Sequence, residues 1–220
     1  MAKRTGILGG SFNPAHGGHR RITLLAMEAL GLDEVWWLVS PGNPLKPSAG
    51  MAPLSARLKS AQNMARRAPI VPTSIETELR TRYTVETLTK LKNRYKSREF
   101  VWLMGSDNLA QFHKWKAWRD ISKAAPIAVI ARPGYNADAM TSPAMAWFRR
   151  YRVPVARFRQ RRKMRTPALV FMRFDPDTRS ATAIRRANSD WASDLGGAFG
   201  HDRLTFRRLN KSDDSPGEDA

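Results

Sequence analysis

The fold prediction rests on Gly9-Gly10-Ser11-Phe12-Asn13-Pro14-Ala15-His16-Gly17-Gly18-His19, a segment that joins a strand to a helix. Residues 6–10 have the pattern of a buried strand that runs into a glycine turn. Apolar residues then recur at helical spacing from residue 18 to residue 30, and Gly31 is placed to end that helix. A strand, a glycine turn and a helix in direct succession are typical of α/β proteins.

The rest of the chain alternates between strand-like and helix-like patterns. Further strands are predicted at residues 35–39, 70–71, 100–104, 127–131 and 168–174, and further helices at 55–68, with Ser55 as the N-cap, and from Thr84 onward. This alternation predicts an α/β fold with a doubly wound, Rossmann-like, mainly parallel sheet and helices on both faces. Short polar segments follow most of the strands. In such a sheet they lie at the carboxyl ends, so we expect them to converge on one ligand-binding crevice.

Length and composition are those of one globular domain. We predict a single domain over residues 1–210 and a disordered acidic tail at 211–220. The chain has no cysteine, which excludes disulfides, thiolate catalysis and cysteine-ligated zinc. No apolar run reaches about 18 residues, so we expect no membrane span. The polar loop so close to Met1 argues against a cleaved signal peptide, and we therefore predict a cytoplasmic protein.

The formal charge of +19 predicts an anionic partner, whether a nucleic acid, a membrane surface or a phosphorylated small molecule. Residues 149–165 are dense in Arg and Lys and contain no acid. A solvated surface is the commonest explanation of such a run, and a nucleic-acid patch or a wall of a phosphate site are the alternatives. The sequence does not choose among them.

His16 and His19 stand three residues apart at the start of the predicted helix, so their rings can share one face. A helix N-terminus favours anions through its free N–H groups and its dipole, and two imidazoles there add donors for phosphate oxygens. Gly9 and Gly10 let the backbone come close to such a ligand. Two other interpretations stay open: a pair of ordinary capping residues, or two zinc ligands that lack an obvious third.

A second polar segment follows the last predicted strand, with the sequence Thr178-Arg179-Ser180-Ala181-Thr182-Ala183-Ile184-Arg185. Ser180 or Thr182 can cap the helix that starts here, and both hydroxyls would then face the crevice, with Arg185 about one turn away. A plain N-cap followed by a surface arginine explains the same residues.

The two segments resemble the signatures of the HIGH-motif nucleotidyltransferases. The glycines, Ser-Phe, the proline and both histidines agree in order and spacing, and the second segment matches Ile-Ser-Ser-Thr-x-x-Arg at three positions. The resemblance implies that ATP is bound by Gly9, Gly10, Ser11, Phe12, His16, His19, Ser180, Thr182 and Arg185. The chain departs from the pattern at Asn13, which replaces an Asp, and at Arg179 and Ala181.

A third set of segments, residues 82–88, 105–121 and 132–135, resembles nicotinate-mononucleotide adenylyltransferases. The matching residues include Tyr83-Thr84, Gly105-Ser106-Asp107, Phe112, Trp115 and Arg132-Pro133-Gly134. We expect Trp115 to face the pyridine ring, Asp107 to accept hydrogen bonds from ribose hydroxyls, and the helix start at Thr84 to meet the nicotinate carboxylate. Arg132 completes the predicted substrate-binding set. Core packing is the alternative role for Trp115.

The resemblance implies in-line attack by the 5′-phosphate of nicotinate mononucleotide on the α-phosphorus of ATP. Pyrophosphate leaves and nicotinate adenine dinucleotide forms, which is a step of NAD biosynthesis. The predicted catalytic residues, His16, His19, Lys46 and Arg185, position the phosphates and neutralise their charge. The Mg²⁺ expected in such a reaction would be held mainly by substrate phosphates, so we predict no metal-binding residues.

Two rival functions are compatible with the sequence. One is another small-molecule nucleotidyltransferase of the same fold, of the phosphopantetheine or cytidylyl type. The other is a basic nucleic-acid-binding protein, favoured by the charge alone. No recognised nucleic-acid module is visible, so we do not expect nucleic acid as the main partner. The oligomeric state stays open, and a homo-oligomer is compatible with the sequence.

Overall fold

The computed structural model describes residues 2–42, 50–132, 134–161, 163–175, 179–195 and 201–209. Lys46 and the predicted tail at 211–220 lie outside these ranges. Among the helices within them, none is both long enough and apolar enough to cross a membrane.

The core of the fold is a six-stranded, all-parallel sheet with the strand order β3-β2-β1-β4-β5-β6. The strands are β1 Lys3–Gly10, β2 Glu34–Val39, β3 Ile70–Thr73, β4 Arg98–Gly105, β5 Ile127–Ile130 and β6 Leu169–Met172. A line of buried residues fixes the register across four strands: Ile7 lies opposite Trp102, Trp102 opposite Ile127 and Ile127 opposite Leu169. The sheet confirms the doubly wound α/β prediction.

Helices connect the strands, as the sequence predicts. Within the described residues they are α1 Gly17–Leu30, α2 Leu54–Met64, α3 Ile75–Leu79, α4 Thr84–Arg94, α5 Ser106–Gln111, α6 Trp118–Ala124, α7 Asn136–Thr141, α8 Pro143–Phe148, α9 Val155–Gln160 and α10 Ala181–Ala187. Most of the predicted bounds shift by one to four residues; β1, for example, begins at Lys3 and β3 extends to Thr73. Helix α2 takes Pro53 rather than Ser55 as its N-cap and ends at Met64, and β6 covers only the middle of the predicted strand.

The chain divides into two compact units. The first unit comprises Met1–Leu8, Ile22–Val35 and Tyr83–Pro176, and the second comprises Gly9–Arg21, Trp36–Arg82 and Asp177–Ala220. The loops after β1 and β2 therefore belong to the second unit, and the loops after β4 and β5 belong to the first. The single domain predicted over residues 1–210 stays a prediction.

Asp202 anchors the C-terminal part of the second unit. Its buried carboxylate accepts hydrogen bonds from the hydroxyls of Thr73 and Ser74, at 2.8 and 3.0 Å, and from the backbone N–H of Ser74 at 2.6 Å. The backbone N–H groups of Leu204 and Thr205 donate to its other oxygen. A buried carboxylate is stable only with such partners, so Asp202 ties its own loop to the end of β3.

Candidate functional site

The two predicted histidines lie side by side at the start of α1. The rings of His16 and His19 have centroids 3.9 Å apart and are tilted by 45° to each other. Both side chains are half-buried, so they remain open to a ligand on one side. The predicted shared face of the two imidazoles is therefore present.

The backbone sets which nitrogen of each imidazole carries the proton. The N–H of Gly18 donates to Nδ1 of His16, and the N–H of His16 donates to Nδ1 of His19, both at 3.2 Å. A neutral imidazole that accepts at Nδ1 carries its hydrogen on Nε2, so each ring presents Nε2–H as its donor. The N–H groups of His16 and Gly18 are therefore occupied by the rings, and the capping role that the sequence left open is present for His16, whose ring accepts from Gly18.

Phe12 supports the histidines from inside the protein. Its ring is almost fully buried, stacks on Trp37 at 5.0 Å and lies 5.0 Å from the ring of His19. A side chain in this position cannot contact a ligand, so any contribution of Phe12 to ATP binding comes from its backbone or from holding His19. Gly9 and Gly10 are half-buried at the end of β1, and Ser11 is exposed.

The segment at α10 meets the loop after β1. Nη1 of Arg185 donates to the backbone oxygen of Asn13 at 2.5 Å, and Nη2 lies 3.3 Å from the hydroxyl of Thr182. Ser180 is the N-cap of α10, because its Oγ accepts from the N–H of Ala183 at 3.1 Å. Its hydroxyl hydrogen is still available to donate. His16, His19, Ser180, Thr182 and Arg185 are called the histidine cluster below.

Two residues that sequence reasoning left without a role hold the loops of this cluster in place. The buried Asn13 side chain donates to the backbone oxygen of Gly50 at 2.9 Å and accepts from the N–H of Ala52 at 3.2 Å. An Asp at this position could not donate to Gly50. The chain's departure from Asp at position 13 therefore has a structural reason.

Arg57 is the second of these residues, and it is 1% exposed. Its guanidinium donates to the backbone oxygens of Ser11 at 2.9 Å, Ser40 at 2.6 Å and Ala52 at 2.8 Å. It thus joins the loop after β1 to the loop after β2. The sequence carried a signal for it, since Arg57 interrupts the apolar stripe of Leu54, Leu58 and Ala61 on α2.

Arg179 lies against the start of α1. A β-carbon at position 17 would overlap its guanidinium, and one at position 18 would come within 3.5 Å of its backbone oxygen. Gly17 therefore leaves room for the guanidinium of Arg179 in its present position, whereas the distance at position 18 is an ordinary contact. Sequence reasoning treated Arg179 only as a departure from the resemblance.

In the first unit, two predicted substrate residues, Asp107 and Arg132, lie just after the ends of β4 and β5, and Trp115 follows α5. Nη1 of Arg132 is 3.0 Å from Oδ2 of Asp107, and the N–H of Arg132 donates to the buried hydroxyl of Ser106 at 2.8 Å. Gly105 lies directly against both side chains, because a β-carbon there would overlap Oδ1 of Asp107 and lie 2.9 Å from Cδ of Arg132, so both side chains would have to shift. Asp107, Trp115 and Arg132 are called the Asp107 cluster below.

Trp115 packs into the first unit but keeps its side chain half-exposed. Its ring meets the rings of Phe112 at 5.2 Å and Trp102 at 6.4 Å, both edge-on. Nε1 of Trp115 and Oδ1 of Asp107 are buried and have no hydrogen-bond partner among the described residues. Buried polar atoms without partners carry an energetic cost, and a ligand with complementary groups would remove it.

Thr84 begins α4, as predicted, with Tyr83 as the N-cap. The adjacent first turn is linked to the Trp115 segment by Lys116, whose Nζ is 3.0 Å from Glu86 and 4.0 Å from the centroid of the Tyr83 ring. The first N–H groups of an α-helix have no partner within the helix. The N–H groups of Glu86 and Thr87 donate to the backbone oxygen of Tyr83, at 3.0 and 3.1 Å, and the role of Thr84 towards a carboxylate stays a prediction.

The donors of the histidine cluster are imidazoles, hydroxyls and a guanidinium. Within the described residues there is no group of three or more His, Asp and Glu side chains that could hold a metal ion. Mg²⁺ prefers oxygen ligands, above all carboxylates, phosphates and water.

The predicted site residues thus form two groups. The histidine cluster, Gly9, Gly10, Ser11 and Phe12 belong to the second unit, and Thr84, Asp107, Trp115 and Arg132 belong to the first. Their convergence on one crevice stays a prediction. Lys46 lies outside the described residues.

Comparison with known proteins places the chain in a family. The family model for cytidylyltransferase-like proteins matches residues 7–187. A protein of Erythrobacter litoralis named "Probable nicotinate-nucleotide adenylyltransferase" is 64% identical over 206 residues, which covers 94% of each chain. A protein of the same name from Roseobacter denitrificans is 49% identical over 82% of this chain and 90% of its own.

Solved structures share the fold at low identity. Nicotinic acid mononucleotide adenylyltransferase of Plasmodium falciparum, in complex with NaAD, matches with a TM-score of 0.62 at 14% identity over 84% of this chain and 83% of its own. The same enzyme in complex with APC matches with a TM-score of 0.61. The described architecture is therefore that of a known nucleotidyltransferase fold.

Proposed function

This chain belongs to the nicotinate-nucleotide adenylyltransferases of the cytidylyltransferase-like family, and we propose that it joins nicotinate mononucleotide to the AMP part of ATP. The products are nicotinate adenine dinucleotide and pyrophosphate, so the enzyme acts in NAD biosynthesis. The observation that carries the proposal is the histidine cluster, in which Arg185 ties the His16–His19 loop to α10 through the backbone oxygen of Asn13. The two segments that resemble phosphate-binding signatures, residues 9–19 and 178–185, are far apart in sequence and are joined by this hydrogen bond.

The reaction needs no general base for its nucleophile. A phosphate monoester is mostly dianionic at pH 7, so the 5′-phosphate of the mononucleotide is already a competent nucleophile. The barrier comes from holding two polyanions in line, which donors fixed before binding can lower. We assign this role to Nε2–H of His16 and His19, to the guanidinium of Arg185 and to Lys46.

The phosphates of ATP are contacted by His16, His19 and Arg185 and by further residues of the two signature segments. Gly9, Gly10 and Ser11 line the end of β1, while the hydroxyls of Ser180 and Thr182 are oriented by α10. Ser180 uses its oxygen as the cap and donates its hydrogen to a phosphate oxygen. Phe12 contributes by holding the ring of His19. Mg²⁺, when bound, would supply further positive charge to the phosphates, and we expect the substrates rather than protein side chains to hold it.

The Asp107 cluster recognises nicotinate mononucleotide. Oδ1 of Asp107, which has no partner among the described residues, accepts from a ribose hydroxyl, and Arg132 holds the other oxygen. The exposed part of Trp115 lies against the pyridine ring, and the N–H groups at Thr84 meet the carboxylate of the nicotinate. The cytoplasmic localisation predicted from the sequence stays a prediction, and the oligomeric state stays open.

Pyrophosphate release tests the function directly. Purified protein is incubated with ATP and Mg²⁺ and, one at a time, with nicotinate mononucleotide, nicotinamide mononucleotide, phosphopantetheine and glycerol phosphate. A second series replaces ATP by CTP, because the family model covers cytidylyltransferases. We expect ATP with nicotinate mononucleotide to give the highest kcat/KM. A higher value for phosphopantetheine, or for CTP as the nucleotide, would overturn the assignment.

A further inference from the structure

Residues 149–165 carry a dense positive charge to which the proposed transferase mechanism assigns no role. Nine of these 17 residues are Arg or Lys and none is acidic, in a chain whose net charge is +19. The segment thus holds nearly half of the net charge in less than a tenth of the chain. Its density of like charge requires a physical explanation.

The described cations of this segment are exposed and form no ion pair with a described carboxylate. Eight of the nine lie in the described ranges and all eight are exposed: Arg149, Arg150, Arg152, Arg157, Arg159, Arg161, Lys163 and Arg165. None of the eight forms an ion pair with a carboxylate of the described residues. Like charges that are held close together repel one another, and a bound polyanion would relieve that repulsion.

The backbone of the segment is fixed rather than loose. The N–H of Val153 donates to the backbone oxygen of Leu169 on β6 at 2.8 Å, and Arg152 forms a parallel bridge with the same residue. Phe158 of α9 is 1% exposed and lies 5.1 Å from the guanidinium of Arg4. The arginines therefore project from a packed scaffold beside β6.

An open cavity of about 370 Å³ lies at the start of the segment, lined by Ala146, Trp147, Arg149 and Arg150. Trp147 is half-buried, with its ring edge-on to Trp118 at 5.1 Å and tilted towards Tyr151 at 4.9 Å. An aromatic wall beside two guanidiniums suits a nucleobase, which can stack on the ring while its phosphate meets an arginine.

We propose that residues 146–161, called the basic face below, bind single-stranded nucleic acid in addition to the transferase activity. An unpaired base can enter the cavity, whereas the bases of a duplex are stacked on one another. A membrane fits less well, because surface binding to lipid needs exposed apolar side chains. Among the described residues the large exposed apolar side chains are Leu24, Tyr135, Met140 and Phe206, and none belongs to the basic face.

The test is fluorescence anisotropy of a labelled 20-nucleotide oligouridylate with the full chain at several salt concentrations. The variant Arg149→Gln/Arg150→Gln removes two cations of the basic face. Each phosphate contact contributes about 0.7 to the slope of log K against log salt for a single strand. We therefore expect the slope to fall by about 1.4 and binding at 0.1 M salt to weaken about 25-fold.

The matched control is Arg66→Gln/Lys96→Gln, which removes two exposed cations outside the basic face. Thermal melting, which does not depend on the transferase activity, checks that both variants fold. Equal losses of binding in the two variants would overturn the proposal, because net charge alone would then explain the binding. Tighter binding to phosphatidylserine vesicles or to a 20-base-pair duplex than to the oligouridylate would also overturn it.

A variant of Trp147 tests base stacking separately from charge. Trp147→Leu should weaken oligouridylate binding about fivefold or more with an unchanged salt slope, because base stacking is lost and no charge is removed. Trp118→Leu disturbs the same aromatic group without lining the cavity, so it should leave binding within about twofold. If Trp118→Leu weakens binding as much as Trp147→Leu, the cavity is not the binding site and the proposal fails.

Discussion

The histidine cluster and the Asp107 cluster differ in how many of their polar groups already have partners. At the start of α1, both Nδ1 atoms accept backbone N–H groups, Ser180 caps α10, and Arg185 donates to Asn13. In the first unit, Oδ1 of Asp107 and Nε1 of Trp115 are buried without a partner among the described residues. The first cluster is organised before its ligand arrives, and the second is completed by it.

This difference predicts which kinetic parameter, kcat or KM, changes when a residue of each cluster is replaced. Donors that are fixed in advance stabilise charge in the transition state, so their loss lowers kcat. Groups that bind substrate equally in the ground state and the transition state raise KM when they are removed. The histidine cluster should therefore control kcat, and the Asp107 cluster should control the KM of nicotinate mononucleotide.

The largest effect is expected for His19→Ala, which removes an oriented Nε2–H donor. We expect kcat for pyrophosphate release to fall about 10²–10³-fold, while the melting temperature stays close to that of the native chain. His201→Ala, an exposed histidine of the same unit, is the control and should retain full turnover. A near-normal kcat in His19→Ala would contradict the proposal that the histidine cluster stabilises the phosphates in the transition state.

Asp107→Asn should give the next largest effect. The change keeps the side-chain shape but removes the charge that pairs with Arg132 and accepts from the ribose. We expect KM for nicotinate mononucleotide to rise about 10–100-fold, the range of one charged hydrogen bond, with kcat and the ATP KM nearly unchanged. Asp120→Asn, whose carboxylate pairs with Lys123 on an exposed surface, serves as the control. An equal rise in the KM of ATP would contradict the prediction that the Asp107 cluster controls only the KM of nicotinate mononucleotide.

Arg57→Lys should show that the histidine cluster depends on its support. Lysine cannot reproduce the fork that joins Ser11, Ser40 and Ala52, so the loops after β1 and β2 lose their fixed spacing. We expect kcat/KM for ATP to fall about tenfold. Arg4→Lys is the matched control, since Arg4 is a buried arginine that also donates to backbone oxygens. Both variants should melt at lower temperature. An equal loss of kcat/KM in Arg4→Lys would assign the effect to stability alone.

Trp115→Phe should have the smallest effect. Phenylalanine keeps an aromatic face but loses the indole N–H and part of the stacking area, so the KM for nicotinate mononucleotide should rise about threefold. Trp118→Phe should lower the melting temperature without changing that KM, because Trp118 packs on Phe112 and Trp147. The reverse pattern would make Trp115 a packing residue.

The sequence predicts the parts of this molecule that are continuous along the chain. The strand before Gly9, the helix after His16 and the Ser180 cap depend on neighbouring residues, so periodicity and capping patterns reveal them. Their meeting through Arg185 and Asn13 joins residues 172 positions apart, and it was expected only from the parallel-sheet topology and from the resemblance, because no local pattern specifies it. The bounds of α2 and β6 differ from the prediction by up to four residues, because periodicity and capping patterns indicate an element more clearly than its ends.

The supporting residues were largely beyond sequence reasoning. The carboxylate of Asp202 accepts hydrogen bonds from Thr73 and Ser74, which lie more than 120 residues earlier in the chain, and no local sequence pattern indicates that Asp202 is buried. Arg57 could have been noticed, because a charged residue on an apolar helical stripe needs buried partners. The orientation of the two imidazoles could not have been predicted, because it depends on backbone N–H groups whose direction the sequence does not specify.

A double-mutant cycle with His19→Ala and Arg185→Gln, measured as kcat/KM for ATP, tests most directly whether these residues serve one polyphosphate site. Residues that stabilise the same transition state lose much of their separate effect once one of them is gone. We predict that Arg185→Gln costs at least about tenfold less in the His19→Ala background than in the native chain. Equal costs in the two backgrounds would mean that the residues act independently and would contradict a shared site.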